Sequence, residues 1–160
     1  MKVCIQSFVK DFHWFPHRKG KWKYVLLQPV VVRCDWMLTQ VPLRLVRERY
    51  GVTLGEIHRY YIRINPGYAW DGCSCSPDHP QTMLASLVHD FLYQFSGVPG
   101  FPPQISRFTA DELFEQIARE SGCRWAWLYR LGLALGSWMF WERSPLDWLE
   151  IEQIHALPPD

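Results

Sequence analysis

Charge of one sign is missing from this chain. Lys plus Arg total 17 and Asp plus Glu 16, so the net charge is only +1. No global field directs the protein to a nucleic acid, and no specific nucleic-acid binding is expected. A disulfide framework is missing too. There are 5 cysteines, an odd number at irregular spacing, which points to a reducing compartment. The N-terminus MKVCIQSFVKDFHWF lacks a secretory core because Lys10 and Asp11 interrupt it, so no signal peptide is expected. The longest apolar stretch, Trp125–Trp141, is short for a membrane span and carries Arg130. It reads as a core helix, and no transmembrane helix is expected. Neither an internal repeat nor a low-complexity tract is visible.

What is present is a core. The hydrophobic fraction is 48% and the aromatic fraction 16%, including 9 Trp. That suffices for one domain over 1–160 and excludes a disordered chain. Trp-rich composition serves either a core or a contact surface.

Residues 1–66 read as mainly β. Gly20 between Lys19 and Lys21 suggests a hairpin turn, and the basic-aromatic segment around it also suits phosphates or a membrane surface. Tyr24–Arg33 reads as a strand, with Pro29 placing it at an edge or bulge. Leu43–Tyr50 reads as a short helix or loop. Glu56–Ile64 reads as a second strand, ended by Asn65-Pro66-Gly67. Residues 67–80 form a loop, with Ser76 or Asp78 as the cap of the next helix.

Residues 81–160 read as mainly α. The first helix is Met83–Phe95. The second starts near Thr109, where Thr109 and Glu112 have capping-box spacing, and stops at Gly122. The third is Trp125–Trp141, in which Gly132 and Gly136 have the spacing that lets helices pack closely. Leu146–Ile154 is a terminal amphipathic segment. Strands first and helices afterwards make an α+β fold.

Chemistry concentrates on the first helix. His89 and Asp90 are adjacent within an apolar helix, and charged groups leave water only when paired, hydrogen-bonded or bound to metal. His89 and Tyr93, four apart, are neighbours at one border of the apolar face, and Asp90 lies a quarter-turn further round. Asp111 lies near the edge of the second helix's core face. If the two helices pack antiparallel, Asp111 approaches His89, fixes its tautomer and leaves the other nitrogen free as a base. Each residue also has a plainer reading. Asp111 suits a first helical turn, Asp90 a surface acid, and His89 a core histidine bonded to a carbonyl. Cys73, Cys75, His79 and His89 supply zinc-type ligands, but their spacing is not that of a standard zinc site.

NPGYAWDGCSCSP, LVHDFLYQF and SRFTADELFEQIARESG resemble the phage and prophage family catalogued as domain of unknown function 1353. The matching residues are Gly67, Tyr68, Asp71, Gly72, Ser74, Pro77, His89, Asp90, Leu92, Tyr93, Ser106, Arg107, Ala110, Asp111 and Phe114, with an extra residue between Cys75 and Pro77. The resemblance covers roughly residues 24–140. It implies a bacteriophage or prophage origin, location in the virion or host cytoplasm, and other phage proteins as partners.

A more distant resemblance is to the helix pair of secreted phospholipase A2. It implies His89 as base, Asp111 as its orienter, Tyr93 as support, Asp90 as a calcium ligand, and the Tyr68–Gly72 loop as the calcium loop. Leu84, Ala85 and Leu92 stand where that family has cysteines, and only Gly67 and Gly72 match its glycine-rich loop. The first expectation is therefore a virion protein of the tail or particle, structural and interacting. The alternative is a calcium-dependent hydrolase of esters such as phospholipids. Lipid contact and oligomerisation stay open.

Overall fold

The computed structural model describes residues 3–5, 23–47, 52–73, 77–136 and 154–157. Antiparallel strands in two sheets precede three helices, giving the α+β fold. In chain order the elements are β1 (Val3–Ile5), β2 (Tyr24–Val25), β3 (Val30–Cys34), β4 (Leu43–Arg47), β5 (Val52–Ile57), β6 (Tyr61–Ile64), β7 (Ala69–Trp70), α1 (Met83–Phe95), α2 (Arg107–Glu120), α3 (Ala126–Gly136) and β8 (Ile154–Leu157). Six strands form one sheet in the order β1-β3-β6-β5-β4-β8, and β2 pairs with β7 in a second. The edge strand beside β4, β8, comes from the C-terminal part of the chain, where only helix and a terminal amphipathic segment were expected.

Three β-region expectations change. Tyr24–Arg33 is two strands in different sheets, not one. Pro29 has no N–H to donate to a ladder, and the chain changes partner there. Glu56–Ile64 is not one strand but parts of β5 and β6 joined by a tight turn, with the His58 N–H donating to the Tyr61 carbonyl at 2.8 Å. Both arms alternate, so the pattern alone looks continuous. Leu43–Arg47 is a strand rather than a helix or loop, paired with β5 and β8 and bulged between Leu45 and Val46.

The core lies between the main sheet and α1. Val30, Val32, Ile62 and Ile64 are fully buried on paired strands, while Arg33 and Arg63 point out, as period-2 alternation requires. Every residue of α1 except Asp90 is buried. The helix presses close to the sheet because Gly55 has no side chain. A Cβ there would lie 2.6 Å from both the Phe91 ring and the Arg63 carbonyl. The Trp70 indole N–H donates to Ser86 Oγ at 3.3 Å, tying α1 to the small sheet.

The helix starts also differ from expectation. Thr82 is the N-cap of α1, without a side-chain cap bond. The cap of α2 is Ser106, whose Oγ accepts from the Thr109 N–H, so the helix begins at Arg107 and not near Thr109. Gly122 does end α2, at φ +87°.

The expectation that α3 is a core helix is overturned. Among its described residues only Ala126 is buried. Tyr129 and Leu133 lean on the core, and Arg130 donates to Glu115 on α2 at 2.9 Å. Trp127, Leu128, Leu131 and Leu135 are exposed, and nothing lies within 4 Å of a Cβ added at Gly132 or Gly136. Those glycines therefore mediate no packing against the described residues. An apolar sequence marks a helix that avoids water, but does not say which molecule covers it. The expected extension to Trp141, the 146–153 segment and the hairpin around Gly20 lie outside the described residues. No helix among the described residues is long and apolar enough to cross a membrane.

Candidate functional site

The second half of α1 and the first turns of α2 face each other, and their contacts run in opposite senses. Tyr93 reaches Asp111, while His89 reaches both Asp111 and Phe114. Asp111 is the hub. Its Oδ1 accepts from the Tyr93 hydroxyl at 2.6 Å and lies 3.0 Å from His89 Nε2, and its Oδ2 faces Arg107 Nη1 at 3.8 Å. A carboxylate at hydrogen-bond distance makes Nε2 the donor nitrogen. Aromatic rings fix the imidazole plane, with Tyr93 stacked at 4.0 Å between centroids and Phe114 edge-on at 5.7 Å.

The other ring nitrogen, Nδ1, lies 3.7 Å from Asp90 Oδ1, an ion-pair rather than a hydrogen-bond distance. The Asp90 side chain is 15% exposed, against 4% for that of Asp111.

The electrostatics follow from this enclosure. Burial opposes a charged His89, yet the Asp111 and Asp90 carboxylates outweigh it and raise its pKa. Burial opposes a charged Asp111 too, but hydrogen bonds from His89 and Tyr93 outweigh it and lower its pKa. Asp90 is pushed up to about 7, first by burial and also by the neighbouring Asp71, with His89 pulling the other way. Carboxylates in contact inside a protein do not ionise independently.

Asp71 lies in the quoted loop motif, inside the Tyr68–Gly72 turn that the resemblance makes the calcium loop, but the resemblance gives it no individual role. It follows β7 and precedes Gly72, whose φ of +80° suits glycine. Its negative charge is one of the causes that raise the Asp90 pKa. Asp78 clips the same turn. It accepts from the Cys73 N–H at 2.8 Å and the Tyr24 hydroxyl at 2.7 Å, and it fills the space beside Gly72. Asp78 is thus a loop clamp and not the helix cap expected of it.

Of the expected metal residues, Asp90 acts on Tyr68 through its charge, and Gly72 shapes the turn between Asp71 and Cys73. The Tyr68 hydroxyl is buried without a hydrogen-bond partner, and Asp90 and Asp71 are the charges that act on it. Asp90 Oδ2 is likewise buried and unpartnered. Unpartnered buried oxygens are the donor type that calcium takes, although among the described residues no three His, Cys, Asp or Glu side chains gather to hold a metal. The zinc alternative fares worse. Among the described residues no three His, Cys, Asp or Glu side chains gather around a common point, His79 is exposed, and the Cys73 thiol donates to Thr82 Oγ1 at 3.4 Å. Cys75 lies outside the described residues. Cys34, Cys73 and Cys123 are free thiols.

No known protein family, curated protein or solved structure matches this chain. The case for function therefore rests on the chemistry of the site.

Proposed function

We propose that the protein is a hydrolase of carboxylic esters that uses His89 as general base. The observation carrying this reading is the 3.0 Å contact from His89 Nε2 to Asp111, which leaves Nδ1 outside hydrogen-bond distance of Asp90. Nδ1 takes the proton of an attacking water, and Asp111 stabilises the imidazolium that forms. Tyr93 holds Asp111 in place, and its stacked ring keeps the imidazole from rotating. The proton then returns from Nδ1 to the leaving alkoxide. Asp90, with the Tyr68–Gly72 turn, would hold calcium, which when bound supplies positive charge for the substrate carbonyl oxygen.

Phospholipids are the ester class suggested by the resemblance of the helix pair. Release of fatty acid from phospholipid vesicles in millimolar calcium tests this. Turnover by the intact chain that falls about 10²-fold or more in His89→Gln supports the assignment. No turnover on phospholipid, monoacyl or short-chain ester substrates removes it.

One observation favours a second reading, a virion component that acts through contacts. Trp125, Trp127, Leu131 and Leu135 are 63%, 49%, 52% and 74% exposed, an apolar face typical of an interaction surface. Under this reading the polar cluster only holds α1 to α2. Stoichiometric recovery of the protein in purified phage particles would support it, and absence from particles would count against it.

A further inference from the structure

We infer that the outward face of α3 takes a second copy of this chain, with the two α3 helices packed against each other about a two-fold axis. The inference stands apart from ester turnover and from the polar cluster between α1 and α2.

Helical periodicity divides α3 into two faces. Ala126, Tyr129 and Leu133 turn to the core, and Arg130 is tied to Glu115 on α2 at 2.9 Å. The opposite side carries Leu128, Leu131 and Leu135, flanked by Trp127 and Gly132, all exposed. Leucines three and then four residues apart form the seam along which paired helices interlock. With Trp125 just before the helix, these large side chains expose roughly 600 Å² of apolar surface. That is the upper end for the largest patch on a monomer. Pairing two copies removes at most about 1,200 Å² from water, which reaches the lower bound of a specific interface.

Charge and shape favour an identical partner. Arg130 is the one charged residue of α3, and Glu115 already neutralises it. The seam therefore gives a charged partner nothing to recognise, and gives a second copy nothing to repel. A lipid surface would draw on a row of cations that the seam lacks. Gly132 adds a notch, since nothing lies within 4 Å of a Cβ added there. With an antiparallel pair and the axis crossing near residue 130, Leu128 of each copy stands opposite Gly132 of the other. Leu131 then lies close to its own equivalent. The same arrangement sends the two exposed Arg124 side chains to opposite ends of the pair.

Sedimentation of the full chain by analytical ultracentrifugation, from about 1 to about 100 µM, tests this. Wild type is expected to move from monomer mass toward twice that mass as concentration rises, as suits an interface of this size. Leu131→Glu and Leu131→Lys should each weaken association about 100-fold or more, because like charges then meet at the axis. An equimolar mixture of the two should associate more tightly than either alone. At the lowest concentration both variants should melt as wild type does, since Leu131 is exposed within one chain. The inference is overturned if wild type stays monomeric throughout, which leaves the face to the second reading above. It is equally overturned if both variants pair as wild type does, or if mixing them gains nothing. Melts lowered by several degrees in both variants would mean that another segment of the same chain covers the face. A monomer that co-sediments with phospholipid vesicles would assign the face to lipid instead. Either result also overturns the pairing.

Discussion

His89 Nε2 and Asp111 Oδ1 lie 3.0 Å apart although 22 positions separate them in the chain. The contact joins α1 to α2 through two side chains that are almost wholly enclosed, 9% and 4% exposed. Neither could stay charged there alone, and each is the reason the other is tolerated.

Removing one partner should therefore be worse than weakening the pair. Asp111→Ala removes the buried acceptor of both the His89 ring and the Tyr93 hydroxyl, and is expected to cost about 3–5 kcal/mol of stability. Tyr93→Phe deletes a single 2.6 Å bond and should cost about 1.5–3 kcal/mol, as for a hydrogen bond to a charged group. Urea unfolding of both variants decides it. Equal losses would mean the network is not organised around Asp111.

The pH dependence of stability has a definite sign. Asp90 has its folded pKa raised to about 7, so its contribution is fully present at low pH and is lost as pH rises through about 7. His89 is also raised, and its contribution likewise disappears as pH climbs through its elevated value. Asp111 is lowered, so its contribution is lost only as the solution becomes strongly acidic. Calcium-free protein should melt highest in acid, at about pH 4–5, and lower at pH 8. Asp90→Asn should flatten the decline. A melting temperature that climbs steadily to pH 8 in wild type would contradict the assignment.

Gly55→Ala should destabilise although it only adds a methyl group. The new Cβ meets the Phe91 ring and the Arg63 carbonyl at 2.6 Å, and a backbone oxygen cannot step aside. A cost of about 1–3 kcal/mol is expected from chemical denaturation. A neutral result would show that α1 does not sit this close to β5.

The outer face of α3 should be indifferent to folding. Leu135→Gln and Trp125→Gln change residues 74% and 63% exposed, so stability should move by less than about 0.5 kcal/mol. Leu87→Ala, at 0% exposure, should cost about 2–5 kcal/mol. If the second functional reading holds, the two exposed changes abolish association with particles while their melts stay unchanged. A large loss of stability from either would mean the face is covered within a single chain.

Much of the site was legible one residue at a time. An adjacent His and Asp inside an apolar helix, a Tyr one turn on, and an Asp at the edge of the next helix's core face led directly to the cluster found, because helical periodicity fixes which side chains share a face. Asp71 was visible in the loop motif but carried no role, since nothing local shows that a turn will fold back against α1. Asp78 was misread for a related reason. An acid before a helix has the composition of a cap, and only the folded loop reveals that it clamps Cys73 and Tyr24 instead.

By itself, the sequence determined the α+β order, the three helical segments, the stop of α2 at Gly122 and the identity of the His-Asp-Tyr group, all of which follow from short-range periodicity and turn chemistry. Only the tertiary structure decided which strands pair, since Leu43–Arg47 and Ile154–Leu157 become strands by lying beside each other across more than a hundred positions. It also decided that α3 shows its apolar face outward, and that the charge of Asp71 acts on Asp90. Pairing and burial are properties of surfaces brought together from distant parts of a chain, and no local pattern encodes the partner.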